Sequence, residues 1–217
     1  MSAHINTGSR SRWSPMFLGI ALFTLTACSD AVHTKQRPQY RENPNPVQAY
    51  RLRMRIHDAP GPFKVTVSAT QHDVVVPECL PPPKENAGGR LSPTPTRDIP
   101  FQLDEVSGAE YTGVFHADGM IDEDYHGRGT CRWEMVQVQV QLRATGAEQE
   151  TRFIASLDRG QVERGEGNRT YFWKARYPRV DDFDDFPDLG ESDVDVIPEG
   201  SRAEFFSVSL QAEALAK

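Results

Sequence analysis

Three cysteines in 217 residues are few, and no two of them stand in a CxxC arrangement. That removes the local motif of a dithiol redox centre and of a cysteine-based metal site. GxSxG, HExxH and SxxK are missing too, so none of these signatures of a hydrolase or zinc protease is present. Catalytic triads assemble in space rather than in sequence, so an unrecognised hydrolase stays open as an alternative to a non-enzymatic protein. The apolar run MFLGIALFTLTA, residues 16 to 27, is short. A helix crossing a bilayer needs about twenty residues. No window carries apolar residues at the 3.6-residue spacing of an amphipathic helix, which leaves alternation as the main structural signal.

What is present begins with the leader. Arg10 and Arg12 are the only full charges before Cys28, and small residues follow the apolar run. This is the layout of a secretory signal peptide over residues 1–27. The segment LTAC, Leu25 to Cys28, resembles the lipobox of bacterial lipoproteins. The resemblance implies that Cys28 is lipidated and becomes the mature N-terminus. With Ser29 rather than aspartate next, it implies the outer membrane as destination, with the domain facing the periplasm. A lipid anchor holds a protein at a membrane surface without a spanning helix.

Without residues 1–27 the chain has 22 basic and 31 acidic residues, a net charge of −9. Such a surface argues against nucleic acid and against direct adhesion to anionic lipid, and it suits a basic protein partner. Cys79 and Cys131 remain after lipidation. In an oxidising compartment they are expected to form one disulfide. Closing a loop of roughly fifty residues is worth about 4 kcal/mol in the chain-entropy model.

Residues 28–48 are polar, contain three prolines and show no apolar pattern, which predicts a tether reaching about 25 Å as a random coil. A single β domain is expected over residues 49–217. YRLRMRIH puts Tyr50, Leu52, Met54 and Ile56 on one face and Arg51, Arg53, Arg55 and His57 on the other. FKVTVSAT alternates with Phe63, Val65, Val67 and Ala69 inward, and the two segments are expected to pair as a hairpin across DAPGP. HDVVVPECL reads as a shorter third strand. Residues 81–98, with five prolines, read as a long surface loop without regular structure. Further strands are expected at 99–106, in AEYTGVFHA, in CRWEMVQVQVQLRAT with Val136, Val138, Val140 and Leu142 inward, in TRFIASL, in TYFWKARY and in AEFFSVSLQAEAL. RGQVERGEGNR reads as polar and glycine-rich. The sum is all-β, an antiparallel β-sandwich or open barrel of about seven to nine strands with one disulfide and proline-rich and acidic loops.

Two segments carry the candidate site. FHADGMIDEDYHGRGTCRW, residues 115–133, offers His116, Asp118, Asp122, Glu123, Asp124, Tyr125 and His126. Asp122 and Asp124 are spaced like the start of a calcium loop, but no third ligand and no closing glutamate follow. Zinc needs His116 and His126 to meet across flexible glycines. The residues therefore read as the rim of a binding loop, with no metal and no cofactor. The run DDFDDFPDLGESDVD, residues 181–195, holds seven aspartates and one glutamate. Its Asp182, Phe183, Asp184, Asp185 and Phe186 combine charge for steering with apolar anchors for affinity. A structural alternative pairs this run with the arginine face of the first strand. The leader and the segment DGMIDEDYHGRGTCRWE are similar to the lipoprotein immunity proteins that accompany effectors of bacterial type VI and type IV secretion systems. That resemblance implies a protein that binds a secreted toxin and blocks it by occlusion. A structural or accessory lipoprotein of an envelope complex is the alternative.

Overall fold

The computed structural model describes residues 38–82, 84–86, 89–91 and 94–216. The signal peptide, Cys28 and residues 29–37 of the expected tether lie outside the described residues. The alternating segments become β1 (Ala49–His57), β2 (Lys64–Val74), β5 (Thr96–Pro100), β6 (Leu103–Ser107), β7 (Glu110–His116), β8 (Trp133–Arg143), β9 (Arg152–Asp158), β10 (Asn168–Trp173) and β12 (Phe205–Ala214). Three short strands complete the set: β3 (Lys84–Asn86) and β4 (Gly89–Leu91), which pair with each other, and β11 (Pro187–Asp188).

One sheet runs β10-β12-β1-β7-β6 and the other β11-β9-β8-β2-β5. Every pair is antiparallel except β11 with β9. The fold is an antiparallel β-sandwich of two five-stranded sheets. Its core joins Leu52, Met54 and Ile56, and Phe206, Val208 and Leu210, to Val138, Val140, Leu142, Phe153 and Leu157 of the opposite sheet. Phe153, Phe172 and Phe206 pack with ring centroids 5.1 to 5.5 Å apart. Such aromatic contacts add about 1 kcal/mol each to the burial of their area.

Several expectations change. β1 and β2 do not pair as a hairpin: β1 lies between β12 and β7, and β2 between β8 and β5. Each has one apolar face, and the DAPGP link carries the chain across so that the two faces meet through the core. Val67 is also only part-buried, while Ala69 is buried at 3% exposure. A bulge between Val65 and Val67 shifts the register, so Val67 and Ala69 pair with Gln141 and Gln139, while Ser68 and Thr70 pair with the buried Val140 and Val138. One extra residue in a strand reverses the face of everything after it. β8 carries the complementary irregularity: His72 pairs with Met135 and Gln71 with Gln137, leaving Val136 without a partner.

HDV is the end of β2 rather than a separate strand. The proline-rich loop contains the β3–β4 hairpin. The strand expected at 99–106 is two strands in different sheets, and the chain crosses between them at Phe101 and Gln102. Gly113 permits that crossing, because a Cβ there would collide with the Gln102 carbonyl. The polar stretch after β9 holds a short helix, α1 (Arg159–Arg164). Asp158 caps its N-terminus, with Gln161 N donating to the Asp158 carboxylate at 2.8 Å and Asp158 N donating to Gln161 Oε1 at 2.9 Å. Gly165, at φ 65°, closes the C-terminus. Val162 alone anchors the helix in the core.

Cys79 and Cys131 form the disulfide, with Cα atoms 5.2 Å apart and a sequence separation of 52. It ties the 3-10 turn after β2 to the residues before β8. Replacing Cys79 by serine in the mature chain is expected to lower unfolding free energy by about 4 kcal/mol. That corresponds to a fall in Tm of roughly 10 °C in calorimetry.

Candidate functional site

The 115–133 loop is built around a second, smaller hydrophobic cluster: Val74, Cys79, Leu80, Met120, Cys131 and Trp133, with Tyr40, Ile99 and Tyr125 against it. Tyr40 meets Tyr125 and Trp133 edge-on, at centroid distances of 5.1 and 5.0 Å. Residues 40–48, read from sequence as part of a free tether, are therefore a strap packed on this loop. Asn43 N donates to the Gly119 carbonyl at 2.8 Å, and Ile121 N donates to the Arg41 carbonyl at 3.0 Å.

The acidic residues of the loop are drawn into the same construction. The Asp118 carboxylate accepts hydrogen bonds from Val47 N at 2.8 Å and Gln48 N at 2.9 Å. Asp122 accepts from Trp133 N at 2.8 Å. Glu123 pairs with Arg41 at 2.7 Å. Asp124 accepts from Arg128 N at 2.9 Å and His126 N at 3.2 Å. Amides of the turn, Arg128 and Gly129 foremost, hold its carboxyl below the usual aspartate range. The Tyr125 hydroxyl donates to the Ile121 carbonyl at 2.7 Å. His126 Nε2 and the Tyr40 hydroxyl are 3.2 Å apart. Among the described residues no three His, Cys, Asp or Glu side chains converge as a metal-binding group. The loop uses its polar groups to organise itself and the strap.

His72 lies beneath it. Its side chain is buried at 1% exposure, with Nε2 3.0 Å from the Thr70 hydroxyl. A Cβ on Gly119 would stand 3.2 Å from that nitrogen, so the loop backbone packs directly on the imidazole. Burial pushes the imidazole down to about 4, against the pull of Asp118 and Asp73.

The acidic run is assembled differently. Val180–Asp185 folds as two consecutive turns, with Asp182 and Asp185 in the left-handed region at φ 59° and 57°, a conformation aspartate tolerates better than most residues. Asp185 pairs with Arg143 at 2.5 Å and Arg152 at 2.8 Å. Arg143 also donates to the carbonyls of Ala147, Glu148 and Glu150. Buried Asp188 accepts from Arg176 at 2.9 Å and from Gly190 N at 3.0 Å. The run thus pairs with arginines beside the second sheet, and the pairing with Arg51, Arg53 and Arg55 is not made. It also bridges the sandwich. β11 joins β9, while Glu191 exchanges backbone hydrogen bonds with Tyr171 of β10 at 2.7 and 2.8 Å.

What remains outside these contacts is distinctive. Phe183 is 52% exposed and packs edge-on against Phe186 at 5.2 Å. Arg176 lies over the other aromatic, Phe186, at 5.3 Å. Asp181, Asp182 and Asp184 around it are exposed. The tip is an apolar ring in a mainly acidic fringe, where Asp184 lies 3.9 Å from Arg179, on a base fixed by Asp185 and Asp188. The sequence identified these residues but not their division into a mooring pair and a presented tip.

The arginine face of β1, which does not pair with the acidic run, is solvent-exposed. It lines a groove on the outer face of the first sheet, and the register that assembles it joins segments more than a hundred residues apart. No protein-family model, curated protein or solved structure matches the chain.

Two outcomes follow from this geometry. The unfolded chain takes up a proton near pH 6.5, the ordinary histidine value, but folded His72 does so only near 4. Stability is therefore full above pH 6.5 and falls as pH drops toward 4, by up to about 3 kcal/mol. Urea titrations across that range are expected to show this slope, and His72→Gln to lose it. Asp118→Ala removes the acceptor of two strap amides. Limited proteolysis is expected to cut it within residues 38–48 at least tenfold faster, with the sandwich core protected.

Proposed function

We propose that the chain is a lipid-anchored, periplasm-facing binding protein of the immunity type, which occludes a basic cleft on a secreted toxin. One observation carries the reading: the double turn at Val180–Asp185 is moored by Asp185 to Arg143 and Arg152, and it presents half-exposed Phe183 among exposed Asp181, Asp182 and Asp184. An apolar anchor surrounded by like charge suits this role. The charge steers encounter with a basic surface, and the ring supplies a buried contact that retains it. Preorganisation lowers the entropic cost of binding.

The leader supports the location through Leu25–Cys28 and Ser29, and the Cys79–Cys131 bond accords with an oxidising compartment. Because the carboxylates of the 115–133 loop are engaged with the strap and the loop's own amides, the acidic turn is the favoured contact of the two. The outer membrane is the proposed anchor site, and no cofactor or catalytic step enters the mechanism. Inhibition is steric.

The test uses the mature chain from Ser29, secreted through an ordinary signal peptide, and the product of the neighbouring gene as candidate toxin. Tight binding and protection of cells that receive the toxin in the periplasm are expected. Phe183→Ala and the charge reversal Asp181→Lys with Asp184→Lys are each expected to weaken binding at least tenfold, with Tm unchanged. Unaltered affinity in both variants sinks the occlusion reading. Co-purification with an envelope assembly instead of a toxin assigns the chain to the structural class.

A further inference from the structure

The outer face of the first sheet is a basic surface on an acidic domain. Pairing register sets its side chains in rows: Arg169, Ser209, Arg55 and Glu110 in one, and Gln211, Arg53 and Thr112 in the next. Glu213, Arg51 and Val114 form a third. Arg51, Arg53, Arg55 and Arg169, with the exposed Val106, line a groove of about 850 Å³. Arg53 and Arg55 meet Glu213 and Glu110 at 3.3 Å, and these four side chains are 44 to 63% exposed. Ion pairs so exposed contribute at most about 1 kcal/mol, so an incoming anion can exchange with them. Among the described residues, no carboxylate pairs with Arg51 or Arg169. One Arg169 guanidinium nitrogen instead lies 3.5 Å from His57 Nε2, which is 2.9 Å from the Ser209 hydroxyl. Burial first, then Arg169 and Arg55, hold the His57 imidazole below its ordinary value.

We propose that this groove binds an extended acidic peptide segment of a partner protein, its alternate carboxylates set against Arg51, Arg53 and Arg55. The three arginines follow the strand period, about 6.7 Å between alternate side chains, and an extended peptide repeats its own side chains at the same interval. Guanidinium forks bind carboxylates in bidentate fashion. A concave groove receives a chain, whereas a bilayer headgroup plane requires a flat or convex face. The chain's own segments do not supply the occupant. Residues 29–37 contain one acid, Asp30, against Lys35 and Arg37. The acidic run 181–195 is moored to Arg143, Arg152 and Arg176. This surface is opposite in charge to the toxin-facing turn and does not depend on that reading.

The experiment titrates the mature chain with a peptide of alternating serine and aspartate, and with its serine–asparagine counterpart. Inorganic tripolyphosphate and phosphatidylglycerol vesicles are run alongside. The expected result is binding of the aspartate peptide alone, with NMR shifts confined to the side chains of Arg51, Arg53, Arg55, Arg169 and His57. Affinity is expected to fall at least tenfold in Arg51→Thr/Arg53→Thr and by a similar factor between about 50 and 300 mM salt. Arg51→Lys/Arg53→Lys, which keeps the charge but loses the fork, is expected to fall by about threefold. No binding at low salt, shifts that map elsewhere, or tighter binding of tripolyphosphate or vesicles in the groove overturns the proposal. So does self-association that the threonine variant abolishes, which assigns the groove to a second copy. Should the threonine variant unfold, the shift map on the unmodified chain decides.

Discussion

The Cys79–Cys131 bond is the constraint on which the 115–133 loop and its strap rest. Its sulfurs sit in a cluster with Val74, Leu80, Met120 and Trp133, outside the main sandwich core. A cluster this small supplies limited burial energy by itself, so the covalent link offsets entropy that apolar area alone does not. With it in place, Met120 and Trp133 have a floor to pack on, Tyr40 has an aromatic wall, and the strap and the 115–133 loop become one structure. Asp118, Asp122 and Asp124 then each face backbone amides at hydrogen-bonding distance. An acidic loop that looks in sequence like a ligand shell is thus a loop whose charges satisfy amide donors.

Charge is segregated by the sheets. The first carries Arg51, Arg53, Arg55 and Arg169 outward. The acidic run lies across the edge where β9 and β10 would otherwise be open. Covering both edge strands with one segment limits edge-to-edge pairing with other chains. An acidic net charge thus coexists with an arginine-lined groove on the first sheet.

Much of the sandwich was legible. β12 and β1 alternate without interruption, and their apolar residues are the buried ones: Phe206, Val208, Leu210 and Ala212, then Leu52, Met54 and Ile56. What misled the reading was local. One extra residue after Val65 shifted the register, so that Ser68 and Thr70 rather than Val67 and Ala69 stand opposite buried Val140 and Val138, and alternation by itself does not reveal a bulge in its middle. The signals for α1 were present in Asp158, Gln161 and Gly165, but a helix with a single buried residue has no apolar period to detect. The strap escaped notice for a related reason. It is held by backbone amides, one ion pair and a tyrosine rather than by a hydrophobic pattern.

By itself the sequence determined the fold class, the disulfide partners and the identity of the acidic and basic segments, because these depend on residue type and near-neighbour period. Only the tertiary structure decided which charges remain available. Asp185 and Asp182 differ in nothing that composition records, yet among the described residues one pairs with Arg143 and Arg152 and the other with no basic side chain. Arg55 and Arg169 become neighbours through the pairing of β1, β12 and β10. Contacts between residues so distant in sequence are set by strand order and register, and those follow from packing the whole core at once.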